Sequence, residues 1–74
     1  MGELRAEVRR AREARGWTQG ELAARVGVSR QTINYLEQER YQPSVVLALK
    51  LARAFECKVE DLFVLQEDAD ADGA

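Results

Sequence analysis

The sequence predicts an all-α fold, a compact bundle of five helices within one domain over residues 1–65. Three observations support this class. Apolar residues recur at helical spacing in five segments, and side chains that cap helices precede several of them. The chain has 74 residues, which suits one small domain. A domain of this size buries only about 60% of its unfolded surface, so association with a second copy would stabilise it.

The first helix is predicted over residues 3–15. Leu4, Val8 and Ala11 fall on one face at helical spacing, which is typical of a helix packed on a core. Gly16 is expected to end this helix, because glycine adopts a left-handed conformation at little steric cost.

A very short turn joins the second and third helices. Thr18 can cap the second helix, Glu21 completes a capping box, and Gly27 is expected to end it. Ser29 then caps the third helix, predicted over residues 30–38. Because the connection is so short, the two helices must cross steeply, which is the helix-turn-helix geometry.

Two further helices and an acidic end complete the chain. Pro43 cannot continue a helix, and Ser44 can cap the next one, over residues 45–55. Six residues are expected to form its inner face: Val45, Ala48, Leu49, Leu51, Ala52 and Phe55. A short last helix is predicted over residues 59–63. Residues 66–74 are acidic, small and without periodicity, which predicts a disordered tail.

The composition excludes several classes of function. One Cys and no His make an intramolecular disulfide impossible, and we expect neither a metal site nor a cofactor. No apolar run is long enough to span a membrane. The chain has no glycine-rich phosphate loop, and its single Cys has no plausible base beside it, so we do not expect an enzyme. A cytoplasmic location fits the cysteine usage.

Charge is distributed unevenly along the chain. Residues 1–55 hold ten Lys and Arg against six Asp and Glu, whereas residues 56–74 hold one against seven. A basic body is consistent with an anionic partner. On charge alone, a helical protein with a random charge pattern remains an equal alternative.

The predicted outer face of the third helix has unusual chemistry. A helix that only needs solvation usually shows Lys and Glu there, but this one shows Arg30, Gln31, Asn34 and Tyr35. In the major groove of DNA, Arg suits guanine, and Gln or Asn suits adenine. This face therefore predicts base contacts, with Thr32 at its edge directed at a phosphate or a thymine methyl group. The alternative is an ordinary polar surface.

Four motifs occur in order along the chain. They are R-x-x-x-G-W-T-Q-x-E-L-A from residue 12, VGVSRQTINYLE from residue 26, YQPS from residue 41, and LKLARAF-x-x-x-V-E-D-LF from residue 49. On these motifs the chain resembles the Cro/CI or XRE family of helix-turn-helix regulators, over roughly residues 4–65. The resemblance implies a lambda-repressor-like domain that binds double-stranded DNA and regulates transcription, with repression as the expected role.

The resemblance also implies roles for individual residues. Gln19, at the start of the second helix, is implied to hold a phosphate, where helix N–H groups favour anions. Arg12 and Glu37 are implied to form a partly buried ion pair between the first and third helices. The other expected phosphate contacts are Ser29, Arg40 and Tyr41.

Two positions depart from the family pattern. Relatives usually have glycine where Glu39 and Glu56 stand, and glutamate tolerates a left-handed conformation poorly. We therefore expect the third and fourth helices to run on or to close differently. Glu39 also places a negative charge near the expected phosphates, which would weaken binding.

A homodimer is expected, because one reading helix covers few base pairs and two half-sites lie about 34 Å apart. The expected subunit contact comprises Val46, Leu47, Leu62, Phe63 and Leu65, unless these residues complete the core. The competing function is a protein-interaction module, for example antitoxin-like, with little DNA binding. Glu39 and the acidic end favour that alternative slightly.

Overall fold

The computed structural model describes residues 4–66 and shows five helices and two short strands in that range. Their order is β1 (Leu4–Ala6), α1 (Val8–Ala14), α2 (Gln19–Val26), α3 (Arg30–Glu37), α4 (Val45–Phe55), α5 (Val59–Leu62) and β2 (Phe63–Leu65). The tail predicted over residues 66–74 lies outside the described residues, apart from Gln66. None of the helices in residues 4–66 has the length and apolar character needed to cross a membrane.

The two strands pair with each other and make the all-α prediction imprecise. They run antiparallel with the register Leu4–Leu65, Arg5–Val64 and Ala6–Phe63. The first helix, expected over residues 3–15, therefore begins at Val8, and the last helix ends at Leu62 instead of continuing to residue 63. Such pairing joins opposite ends of the domain, so periodicity within either segment does not reveal it.

The core is built from every helix and from β2. Its buried residues are Val8, Leu22, Ala23, Val26, Ile33, Leu36, Leu47, Leu51, Ala52, Phe55, Leu62 and Phe63. The side chain of Trp17 stacks on Phe55 at the edge of this core, with ring centroids 5.4 Å apart. The core thus holds α2 and α3 in place and leaves the opposite side of α3 toward solvent.

The predicted inner face of α4 is wrong at two positions. Leu47, Leu51 and Phe55 form the buried stripe at four-residue spacing, whereas Val45 and Leu49 are 75% and 56% exposed. Both sets satisfy helical periodicity, because α4 is apolar around much of its circumference. Only the position of the neighbouring helices decides which stripe is buried.

The caps around the turn between α2 and α3 form as predicted. The Thr18 hydroxyl accepts a hydrogen bond from the Glu21 N–H at 3.0 Å, and the Glu21 carboxylate accepts one from the Thr18 N–H at 2.8 Å. Gly27 ends α2 with φ 73°, and the Ser29 hydroxyl caps α3 by accepting from the Thr32 N–H at 3.1 Å. These contacts fix both ends of α2 and the start of α3, and so set the position of α3.

Glu39 and Glu56 adopt the left-handed conformation that glycine usually supplies, with φ values of 61° and 54°. Each lies just after a helix, and the residue that follows the glutamate donates a Schellman-type hydrogen bond back to the last turn of that helix. These bonds run from Arg40 N–H to the Tyr35 carbonyl (3.0 Å) and from Cys57 N–H to the Ala52 carbonyl (2.9 Å). The expectation that α3 and α4 run on or close differently is therefore wrong.

Glu39 has a compensating contact. Its carboxylate accepts a hydrogen bond from the backbone N–H of Ala6 at 3.0 Å, on the side of β1 that does not face β2. The carboxylate thus links the end of α3 to the sheet.

Replacing Glu56 by glycine is expected to raise the free energy of unfolding by about 1 kcal/mol. A left-handed conformation costs a residue with a Cβ about 1–2 kcal/mol, and the greater freedom of unfolded glycine offsets part of the gain. The ion pair that is lost, Arg15–Glu56 at 3.7 Å, lies at the surface and contributes little. Urea denaturation measures the change. Glu56→Ala, which keeps the Cβ, is the control, and an equal gain in both variants would contradict this explanation.

Candidate nucleic-acid interface

The outer face of α3 presents most of the side chains predicted to read bases. Ile33 and Leu36 are buried on the inner side of the helix, and Arg30, Gln31 and Tyr35 are exposed on the outer side. The Gln31 amide donates a hydrogen bond to the Tyr35 hydroxyl at 3.0 Å, one helical turn away. These three polar groups therefore stand together on a surface that a ligand can reach.

Arg30 extends along the beginning of α2. It lines a shallow groove together with Arg12, Thr18, Gln19 and Gly20. A Cβ built on Gly20 would lie 4.0 Å from the Cδ of Arg30. The stem of Arg30 thus lies near the first turn of α2, and the side chain is exposed.

Arg12 and Glu37 form a bidentate ion pair beneath this surface. Arg12 Nε lies 2.7 Å from Glu37 Oε2, and Nη2 lies 3.2 Å from Oε1. Their side chains are only 12% and 4% exposed. The hydrogen bond to Glu37 raises the pKa of Arg12, against the opposing effect of burial. Because Arg12 Nη1 also donates to the Trp17 carbonyl at 2.7 Å, one side chain joins α1, α3 and the segment before α2.

Gln19, the residue implied to hold a phosphate, is bound into this arrangement. It is half-buried, and its Nε2 donates to Glu37 Oε1 at 3.0 Å and to Asn34 Oδ1 at 3.4 Å. Its backbone begins α2, where N–H groups of the first turn lack acceptors within the helix. An anion at this end of α2 would therefore meet the backbone N–H groups, beside the Gln19 side chain, which is already hydrogen-bonded to Glu37 and Asn34.

The helical periodicity places Gln38 on the outer face of α3 but predicts no contact for it, and the structure shows two. Its Nε2 donates to Asn34 Oδ1 at 3.1 Å, and its Oε1 accepts from Arg40 Nη1 at 3.2 Å. The four-residue spacing of Asn34 and Gln38 was the available signal, since such pairs are neighbours on a helix. Asn34 is accordingly half-buried and held from two sides.

The remaining expected phosphate contacts lie at the two ends of α3. Ser29 is exposed at its start, with its hydroxyl 2.9 Å from that of Thr32, which is half-buried at the edge of the face. Arg40 and Tyr41 are exposed just beyond its end, and the Arg40 guanidinium lies 5.9 Å from the centre of the Tyr35 ring. Polar groups therefore flank the outer face of α3 at both of its ends.

The expected subunit contact is corrected at three of its five residues. Leu47, Leu62 and Phe63 are buried in the core of the single chain, because α4 and α5 pack together there. Val46 and Leu65 remain 61% and 65% exposed. Val45 and Leu49, which were expected on the inner face of α4, are exposed as well, and so is Val64 beside Leu65.

The described residues offer no feature that points to metal chemistry. Within residues 4–66, no three His, Cys, Asp or Glu side chains are grouped so as to hold a metal ion.

Cys57 is half-buried, and burial raises the pKa of its thiol. The thiol is therefore mainly protonated at neutral pH, which does not favour a nucleophile.

Comparison with known proteins adds an independent observation. The family model described as Helix-turn-helix matches residues 8–62. The chain is 52% identical over 66 residues to an uncharacterized HTH-type transcriptional regulator of Methanothermobacter thermautotrophicus, covering 88% of this chain and 96% of the relative. A protein of the same description from Archaeoglobus fulgidus is 46% identical over 65 residues, covering 88% and 93%. The restriction-modification controller protein C.AhdI from Aeromonas hydrophila has a similar structure, with TM-score 0.70 and 31% identity over 74% of this chain and 83% of that one.

Proposed function

Since this chain belongs to the XRE-type helix-turn-helix family of DNA-binding, non-enzymatic transcriptional regulators, we propose that it recognises a specific DNA sequence with α3. The observation that carries the proposal is the outward position of Arg30, Gln31 and Tyr35 on a helix whose other side is buried. The major groove admits one α-helix and displays a distinct pattern of donors and acceptors for each base pair. Side chains with directed hydrogen bonds on this face suit that task.

The phosphate contacts follow from the same placement. With α3 in the major groove, the start of α2 with Gln19 would lie over one strand, as the first helix of this motif generally does. Ser29 would lie near the same strand, and Arg40 and Tyr41 would approach the backbone at the other end of α3. The Glu39 carboxylate is directed to the Ala6 N–H of β1 but keeps its negative charge, so the expected weakening of phosphate contacts near this position still applies.

We propose repression as the regulatory role and a homodimer as the active form, acting in the cytoplasm where bacterial and archaeal DNA lies. A protein that covers a DNA site excludes other proteins from it without further contacts. One α3 reads only a few base pairs, so two copies on neighbouring half-sites would supply the affinity. Exposed apolar side chains on α4 and β2 support a subunit contact: Val46, Leu49, Val64 and Leu65.

The second candidate function is a protein-interaction module with little DNA binding. The same exposed apolar side chains on α4 and β2 favour it, since they suit a partner of another kind as well as a second copy. The two functions differ in the salt dependence and sequence dependence of DNA binding.

Selection of bound DNA from a random pool tests the proposal. We expect a palindromic consensus with half-site centres about 34 Å apart. In gel shifts, a dimer that neutralises six to ten phosphates should lose affinity by about 10³–10⁵ between 50 and 200 mM salt. A single, unrepeated half-site would contradict the homodimer alone. Weak binding without any consensus would favour the interaction module.

A further inference from the structure

We infer that Asn34 presents only hydrogen-bond donors to DNA and therefore selects a keto base, guanine or thymine, instead of the adenine that asparagine usually reads. This inference rests on the proposed function and specifies the chemistry of one position in the site. It follows from the two hydrogen bonds that the Asn34 carbonyl oxygen accepts from other side chains of the protein.

One end of this hydrogen-bonded chain is a carboxylate. Glu37 can only accept hydrogen bonds, so the Gln19 amide must turn its Nε2 toward Glu37 Oε1, 3.0 Å away. The second N–H of the same nitrogen points at Asn34, at 3.4 Å. A donor at this place requires an acceptor opposite it, and that acceptor is Asn34 Oδ1.

The other end of the chain is a guanidinium. Arg40 can only donate, so the Gln38 amide turns its Oε1 toward Arg40 Nη1, 3.2 Å away. The Nε2 of Gln38 then faces Asn34, and its distance to Oδ1 is 3.1 Å. Two charged groups of opposite kind thus orient the Asn34 amide in the same sense from two directions.

The consequence concerns what remains available to a base. An amide oxygen has two lone pairs, and Gln19 and Gln38 occupy both. Asn34 then offers only the two N–H groups of Nδ2. Reading adenine with both hydrogen bonds needs an amide oxygen to accept from the adenine amino group. Guanine offers two acceptors, O6 and N7, and thymine offers O4. Adenine also has an acceptor at N7, but its amino group is a donor beside that acceptor and would face the N–H groups of Asn34 without a partner, so a donor-only group is better matched to guanine and thymine.

The test on DNA compares the affinities of one protein for two sites that differ at one base pair. The ratio of these two affinities does not depend on the overall affinity of the protein for DNA. Asn34→Ala identifies the position, as the one where base preference disappears. Wild-type protein is expected to prefer guanine or thymine over adenine there by about tenfold. Gln38→Ala releases one lone pair and is expected to reduce that preference by about threefold or more, whereas Gln42→Ala, at an exposed loop glutamine, leaves it unchanged.

A measurement without DNA accompanies it. The NMR chemical shift of the Asn34 side-chain carbonyl carbon is expected to move in Gln38→Ala and to stay in place in Gln42→Ala, because only the first variant removes a hydrogen bond to Oδ1. An unmoved shift overturns the inference. A wild-type preference for adenine or cytosine at the identified position also overturns it. The same holds if Gln38→Ala shows the same base preference as wild-type protein, or if Asn34→Ala changes the base preference at no position. These results leave DNA reading by α3 intact, whereas absence of any sequence preference in wild-type protein removes the proposed function as well.

Discussion

Replacing Glu37 by alanine is expected to lower the free energy of unfolding by about 3 kcal/mol, because it leaves a buried guanidinium without its partner. The Glu37 carboxylate is 4% exposed and accepts hydrogen bonds from Arg12 and Gln19. After its removal, the contacts left to Arg12 among residues 4–66 are the Trp17 carbonyl and a 4.0 Å approach to Glu13. For a domain of this size, the melting temperature should fall by roughly 12–24 °C. Thermal and urea denaturation measure both quantities.

Glu13→Ala is the matched control for this prediction. Glu13 pairs with Arg9 at 3.1 Å on the exposed side of α1, and its side chain is 55% exposed. Surface pairs of this kind contribute about 0–1 kcal/mol. If Glu37→Ala and Glu13→Ala melt alike, the buried pair does not join α1 to α3 in the way proposed. Replacement of Arg12 and Glu37 together by apolar residues of similar volume is expected to cost less than Glu37→Ala alone, because no charge is then left unpaired.

Replacing Arg30 by alanine is expected to weaken specific DNA binding by about 10- to 100-fold and to leave stability nearly unchanged. A well-placed bidentate contact between arginine and guanine contributes about 1–3 kcal/mol of discrimination. Arg30 is exposed and lies outside the core, so its loss removes little packing. Binding is measured by gel shift on the selected site at fixed salt. The preference for one base pair in each half-site should disappear with the affinity.

Arg10→Ala separates reading from general charge. Arg10, on α1, is equally an exposed arginine, and its Nε lies 3.9 Å from Oε1 of Glu7. Its replacement changes the net charge by the same amount as Arg30→Ala. We expect a loss of affinity of about twofold or less, without any change of consensus. Equal effects of the two variants would mean that Arg30 contributes through charge alone.

Much of the candidate site was predictable from the sequence because it depends on local chemistry. The caps at Thr18 and Ser29 act within three residues, and Gly27 ends α2 through its own backbone conformation. These features place α3 and give it an inner and an outer side. The outward position of Arg30 and Gln31 follows directly from that periodicity.

Other features were not predictable because they depend on residues far apart in the chain. The Glu39 carboxylate meets the Ala6 N–H across 33 positions, and its left-handed conformation has no signal in the residue type. Similarly, burial of Leu47 instead of Leu49 depends on where α2 and α5 pack against α4. The residues at the end of α3 and the apolar residues of α4 would each allow more than one conformation or orientation, and contacts with distant residues select one of them.

The sequence by itself thus determined the number of helices, the approximate limits of all but the first, the short turn between α2 and α3, and the polar chemistry of the outer face. These are interactions within a few residues, and each carries its own chemical signature. Only the tertiary structure decided the pairing of β1 with β2, the apolar stripe of α4 that is buried, and the direction in which the Asn34 amide points. Those outcomes depend on packing and hydrogen bonds between distant groups, whose free energy exists only once the helices have come together.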